Sequence, residues 1–213
     1  MNAESIFPEQ DSVVQTYILH PYLINGFKFY LRIYALVISC DPLRVYIYNE
    51  GLVRICTTPY CEPNLSNLHI PFMHLTNYSI NKENPTFRQN NSGTTAEDDC
   101  DAKKQSLAWL WSYLVNQGHN KDQIWTAISD IIVKTLISIQ PSLAHTYNKC
   151  KSTDQDKTPF TCFEILGFDI IMTRDLVPIL LEVNHTPSFR TDRFNLLYYL
   201  YLIPYINLLL IGF

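Results

Sequence analysis

In the segment FKFYLRIYALVIS, residues 27–39, Lys28, Tyr30 and Arg32 stand two apart, and Phe27, Phe29, Leu31 and Ile33 fill the alternate positions. Successive side chains of an extended strand point to opposite faces, so this spacing gives one cationic face and one core face. Guanidinium groups suit phosphate and carboxylate oxygens because they donate in a planar fork and stay charged at every working pH. On an isolated strand two long cations simply snorkel into water. Arg54, in a neighbouring apolar segment, argues instead for a converging cluster.

A second constellation is Asp169 with Glu182 and Asn184. Glu182 and Asn184 share one face of a strand, and Asp169 belongs to the strand before it. Their neighbours Ile170, Ile171, Ile179, Leu180, Leu181 and Val183 are apolar, and a carboxylate among apolar residues is costly unless it is paired or bound to a metal. Two carboxylates and an amide oxygen are hard ligands of the kind Mg²⁺ takes beside nucleotide phosphates. Solvent-facing ends of edge strands are the competing reading. A third candidate, His74-Leu75-Thr76-Asn77-Tyr78-Ser79, is weak alone, because Thr, Asn and Ser are ordinary turn formers and a single histidine is usually structural.

A cationic strand face for phosphates together with an Asp/Glu/Asn set for Mg²⁺ describes a site for ATP. The chain has only 6 glycines and no Gly-x-x-x-x-Gly-Lys run, so the phosphates must be held by side chains rather than by a P-loop.

These residues need a scaffold of strands. The aromatic and β-branched content of residues 27–39 predicts a strand, and Asp41-Pro42 a turn after it. Residues 45–48 and 52–56 flank Asn49-Glu50-Gly51, which reads as a hairpin with Gly free to take positive φ. Residues 81–101 turn polar and read as a mobile loop. Helices are predicted at 102–116 and 122–139, the second with Asp122 as N-cap and Pro141 as stop. After a polar loop at 150–159, strands follow at 162–172 and 179–184, joined by Thr173-Arg174-Asp175. Helices inserted between antiparallel strand pairs make the fold class α+β.

The 213 residues fit one domain, and an apolar fraction of 47% supports a sizeable core. With 16 Lys and Arg against 20 Asp and Glu the net charge is −4, and no basic tract exists to neutralise many phosphates, which argues against nucleic acid as a partner. Six cysteines show no Cys-x-x-Cys pair and read as reduced thiols. MNAESIFPEQDS has no apolar core of a secretory signal, so cytosol is the default compartment. The last twenty residues, FNLLYYLYLIPYINLLLIGF, carry no charge. Pro204 and two asparagines interrupt them, so a buried helix or a sequence of non-native origin is favoured over a membrane anchor.

Taken together, the stretches VVQTYI at 13–18, GFKFYLRIYALVISCDPLR at 26–44, YNEGLVR at 48–54, HLTNYSINK at 74–82, and CFEILGFDI with LLEVNHTPSF within 162–189 resemble the tubulin-tyrosine-ligase-like ATP-grasp ligases, and among them the tubulin glutamylases. The likeness covers roughly residues 11–192, after a leader at 1–10 and before the apolar tail at 193–213. It implies the C-terminal half of an ATP-grasp-like domain. It also implies an ATP- and Mg²⁺-dependent ligase that adds free glutamate to tubulin C-terminal tails through an acyl phosphate, on cytoplasmic microtubules including those of the cilium or basal body.

By resemblance, Gln15, Tyr17 and Ile18 form the hinge that holds adenine and Lys28 contacts the nucleotide. Arg32 and Arg54 are the γ-phosphate and acyl-phosphate ligands. His74, Thr76 and Asn77 approach the phosphates, and Asp169, Glu182 and Asn184 hold Mg²⁺. Thr16 stands where many members have Lys, and Tyr30 where the family has Asp. The N-terminal half of the ATP-grasp unit has no counterpart before residue 11, so the expectation is a truncated product without ligase activity of its own. The alternative is a catalytically inactive chain that acts as a microtubule-associated or other binding protein.

Overall fold

The computed structural model describes residues 15–75, 81, 84, 103–150, 163–188 and 209–210. Strands β1 (Leu23–Ile24), β2 (Phe27–Cys40) and β3 (Leu43–Ile55) come first, followed by the short helix α1 (Pro71–His74). Then come β4 (Lys104–Ser106), α2 (Leu107–Asn116), α3 (Lys121–Cys150), β5 (Glu164–Met172), β6 (Pro178–Asn184) and β7 (Leu209–Leu210). Among the described residues they form one sheet in the order β4-β3-β2-β5-β6, with β1 on β2 and β7 on β3, and every pairing is antiparallel. The α+β class and the long central strand agree with expectation.

Alternation along β2 separates the two faces of the sheet. Phe29, Leu31, Ile33, Ala35 and Val37 enter one core with Val53, Phe168 and Ile170, and with Leu107, Leu110, Leu114, Ile124, Ile128, Ile132 and Leu136 of the two long helices. Both helices therefore lie on one face, and Lys28, Tyr30 and Arg32 project from the other. Among the described residues α3 is the one helix long and apolar enough, by length and composition, to cross a membrane. Its residues Ile124, Ile128, Ile132 and Leu136, each four apart and at most 6% exposed, line the core, as in the core helix of a folded domain.

Four local expectations are corrected. First, Asn49-Glu50-Gly51 is no hairpin: β3 runs through it, and the register jumps from Ile33↔Gly51 to Ala35↔Ile47, so the residues between bulge out of the ladder. Gly51 is there for close approach and not for positive φ, because a Cβ would lie 2.5 Å from the Arg32 carbonyl oxygen. The bulge aims Glu50 at the start of α2, where its carboxyl accepts from the backbone N–H groups of Ala108 and Leu107, although burial still raises its pKa.

Second, residues 104–106 are a strand rather than the first turn of a helix. α2 starts at Leu107, where the Ser106 hydroxyl accepts from the Trp109 N–H at 3.0 Å. Third, Asn120 rather than Asp122 caps α3, accepting from the N–H groups of Asp122 and Gln123 at 3.0 and 3.2 Å. Fourth, Pro141 does not end α3. Gln140 donates to the Cys40 carbonyl at 2.9 Å and Asn148 to the Asp41 carboxyl at 2.7 Å, so the β2–β3 turn grips the helix on both sides of the proline.

The polar stretches at 81–101 and 150–159 lie largely outside the described residues. Asn81 does not fit a loop. It is buried, accepts from the Thr57 backbone and hydroxyl and donates to the Leu75 carbonyl. Of the tail, Leu209 and Leu210 are described; they pair with Ile47 and Tyr46 as a strand, not as a helix. Cys56 and Cys61 are free thiols.

Candidate functional site

The polar face of the sheet carries a row of register partners. Arg32 on β2 lies opposite Asp169 on β5, which lies opposite Glu182 on β6, and Tyr30 lies opposite Arg54 on β3. Arg32 and Asp169, 137 positions apart, thus meet because adjacent strands align them. Above the row, the segment 15–18 and α1 enclose a cavity of about 350 Å³, in the size range of small-molecule sites.

Of the residues singled out from the sequence, Gln15, Tyr17, Ile18, Lys28, His74, Asp169 and Glu182 line this cavity, joined by Tyr30. Arg32 and Arg54 stand behind the wall. Asn184 reaches the cavity through Glu182, to whose carboxyl it donates at 3.1 Å. Thr76 and Asn77 lie outside the described residues.

Lys28 is 8% exposed, and burial pushes its pKa below the ordinary lysine value. Its ammonium donates to the His74 carbonyl at 3.0 Å and to the Tyr17 hydroxyl at 3.2 Å, and it sits 4.4 Å from the Tyr17 ring centroid. His74 is the hub of this corner. Its Nε2 lies 3.1 Å from the Asn67 carbonyl oxygen, which can only accept, so Nε2 carries the proton. With the proton on Nε2, Nδ1 accepts from the Tyr17 hydroxyl at 2.9 Å, and the Tyr17 oxygen is left to accept from Lys28. The sequence placed His74 on a loop; the structure buries it at the end of α1, where it orients two other residues.

The opposite wall is anionic. Arg32 and Asp169, 5% and 3% exposed, form a bidentate pair, with Arg32 Nη2 donating to Asp169 Oδ2 at 2.7 Å and Nε donating to Oδ1. Burial raises the Asp169 pKa, and the Arg32 fork works against that shift. Glu182 is exposed, and the hydrogen bond from Asn184, followed by that with Asp169, holds its carboxyl below the usual range. Gly167 makes room for the pair: a Cβ there would meet the Pro187 Cβ at 2.7 Å and the Arg32 Cδ at 3.1 Å. Neither Gly167 nor Pro187 was singled out as a contributor, because a slot for a side chain from another strand leaves no local signal.

Arg54 donates from Nη1 to the Tyr30 hydroxyl and stacks on its ring, with Cζ 5.3 Å from the centroid. Its Nε is buried without a hydrogen-bond partner. Tyr34 donates to the Ser188 carbonyl at 2.9 Å and so ties the segment after β6 to β2.

No group of three His, Cys, Asp or Glu poised for a metal occurs among the described residues. Mg²⁺ asks for less: one or two carboxylates, with phosphate oxygens and water completing the octahedron. Asp169 and Glu182 as register partners, with the amide of Asn184 beside them, fit that requirement.

An antiparallel sheet backed by two helices sets, on its free face, an ammonium against carboxylates across one cavity. The profile of the tubulin-tyrosine ligase family matches residues 2–199, and the chain belongs to that family. It is 49% identical over 191 residues to mouse tubulin polyglutamylase TTLL6, covering 90% of this chain and 22% of the relative. Mouse tubulin polyglutamylase TTLL7 is 46% identical over 187 residues, 87% of this chain and 20% of the relative. A probable beta-tubulin polyglutamylase of Tetrahymena thermophila is 46% identical over 189 residues, 89% of this chain and 15% of the relative. The chain thus spans about a fifth or less of the length of these relatives.

Proposed function

We propose that these residues are the phosphate- and metal-binding part of an ATP-dependent ligase that joins glutamate to the C-terminal tails of tubulin, on a half of an ATP-grasp-like domain spanning residues 11–192. One observation carries the reading: a single cavity sets the buried ammonium of Lys28 against the carboxylates of Asp169 and Glu182. A polyphosphate bound with a divalent cation satisfies both walls at once. Relatives that share 45–49% of residues bear the name tubulin polyglutamylase.

In the overall reaction a tail carboxylate oxygen takes the γ-phosphoryl group and ADP leaves. The amine of free glutamate then displaces phosphate, forming an amide and releasing its proton. Lys28 would donate to phosphate oxygens, and Gln15, Tyr17 and Ile18 would border the base. Asp169, Glu182 and the Asn184 amide oxygen would hold Mg²⁺, which when bound neutralises charge on the phosphates. Arg32 orients Asp169, and Arg54 lies behind Tyr30 with an unpartnered N–H. His74, with Thr76 and Asn77 following it, would close the phosphate side. The setting is the microtubule cytoskeleton, with cilium or basal body as particular sites.

Calorimetric titration of the chain with ATP tests this. Binding should require Mg²⁺ and should disappear in Lys28→Ala; no binding, or binding indifferent to Mg²⁺ and to Lys28, overturns it. A second reading, a binding protein that keeps the fold without the chemistry, is favoured by the internal partners of both arginines, Asp169 for Arg32 and Tyr30 for Arg54. It predicts no nucleotide binding at all.

A further inference from the structure

Helix α1 is a single turn, and one turn has little stability of its own because it fixes several residues for very few hydrogen bonds. Its last carbonyls also lack partners within the helix. Each is met from outside. The Thr58 N–H donates to the Phe72 carbonyl at 3.2 Å, the Cys56 thiol to that of Met73 at 3.4 Å, the Lys28 ammonium to that of His74 at 3.0 Å, and the Asn81 amide to that of Leu75 at 2.6 Å. Lys28 on β2 and Cys56 and Thr58 just after β3 are carried by the sheet. Asn81 is tied to it by its own side chain: Oδ1 accepts from the Thr57 N–H at 3.0 Å and from the Thr57 hydroxyl at 2.9 Å, and Asn84 donates to that hydroxyl at 2.8 Å. The Thr57 N–H can only donate and the Leu75 carbonyl can only accept, so the orientation of the Asn81 amide is fixed. Asn81 is 2% exposed, and water does not compete for these bonds.

We propose that Asn81 is a positioning residue of the nucleotide site: it clasps the end of α1 to the sheet and so fixes the carbonyl against which the Lys28 ammonium is held. The proposal rests on the nucleotide reading of the cavity, which Lys28 lines. An ammonium has three N–H groups, and two of those of Lys28 are engaged by the His74 carbonyl and the Tyr17 hydroxyl. Their directions set the third, the one that a phosphate oxygen would meet. With the Leu75 carbonyl released, a single turn cannot keep the neighbouring His74 carbonyl in place, and the charge of Lys28 stays in the cavity without its aim.

The test is titration calorimetry of the full chain with Mg²⁺ and ATP, and separately with adenosine, which has the base and ribose but no phosphate. Asn81→Asp keeps the shape and both bonds from Thr57 but sets an oxygen against the Leu75 carbonyl. It should weaken ATP binding by about tenfold, the scale of one hydrogen bond to a charged group, and leave adenosine binding unchanged. Hydrogen exchange at the Leu75 amide, which donates to the Pro71 carbonyl at 2.7 Å, should quicken in the same variant while that of the β2 core does not. Thr57→Val removes one of the two donors on Asn81 and should move each measurement the same way by a smaller factor; it decides the matter if Asn81→Asp does not fold. Unchanged ATP affinity, equal losses for ATP and adenosine, or unchanged exchange at Leu75 would overturn the role of Asn81 and leave the nucleotide site standing. A wild-type chain that binds neither ligand would overturn the site and this role together.

Discussion

Arg32 and Asp169, 137 positions apart in the chain, form a two-pronged pair inside the sheet, and both are nearly inaccessible to water. A buried pair of this kind adds little over a matched apolar pair, but either member alone is an uncompensated buried charge. Arg32→Met should therefore lower stability by about 3–5 kcal/mol, and Arg32→Met with Asp169→Leu should recover most of the loss. Chemical denaturation of the two variants checks this. A double variant no more stable than the single one would show that the pair does more than compensate charge.

Gly167→Ala should destabilise the chain by about 1–3 kcal/mol, the range for overpacking a filled site, because the Pro187 ring facing the new methyl group has little freedom to retreat. Thermal melts read the loss. Wild-type stability in this variant would mean that the segment after β6 moves aside freely.

Glu182→Gln separates charge from packing. Glu182 is exposed on β6, so the unfolding free energy should stay within about 0.5 kcal/mol of wild type, as for most surface changes. Mg²⁺-dependent ATP binding should be lost, because glutamine keeps the shape and one oxygen but not the negative charge. Retained Mg²⁺ dependence in calorimetry would remove Glu182 from the proposed ligand set.

Lys28 gives a pH dependence. Its pKa in the folded chain lies below the ordinary lysine value of 10.5, because burial disfavours the ammonium. The charge that would attract phosphate is present at neutral pH and is lost as pH rises through this lowered pKa, so ATP affinity should begin to fall below pH 10.5. In Lys28→Arg the guanidinium keeps its charge and the alkaline decline should vanish, even if affinity is lower. Affinity followed by fluorescence between neutral and alkaline pH decides it: a decline common to both proteins would place the titrating group elsewhere.

The faces of β2 were legible because period-two alternation is a local property: Phe29, Leu31 and Ile33 went to the core, and Lys28, Tyr30 and Arg32 to the other side. The partner of Arg32 was not, since Asp169 comes opposite it only through the register of β2 with β5, which neither segment encodes alone. Asn49-Glu50-Gly51 has turn composition, but its glycine answers the approach of the Arg32 backbone. Pro141 carries an ordinary stop signal, overridden because Gln140 and Asn148 anchor the helix to the β2–β3 turn. Asn81 looked like the start of a polar loop because an asparagine side chain that replaces backbone partners leaves the same composition as one that meets water. Thr76 and Asn77 stay with the family resemblance alone.

The alternation along β2 also limits how this segment can change over evolutionary time. Every second residue from Lys28 to Ile33 belongs to the core and every other one to the ligand face, so the strand has no neutral position through which sequence can drift. Nor can it slide: a shift of one residue would put Lys28 and Arg32 against the helices and Phe29 and Leu31 into the cavity, so an insertion or deletion here exchanges the two faces at once. Length is therefore constrained in this strand by a stricter rule than identity. A replacement of similar character can be absorbed at single positions, whereas a change in residue number cannot be absorbed anywhere between Asp169's partner and Arg54's.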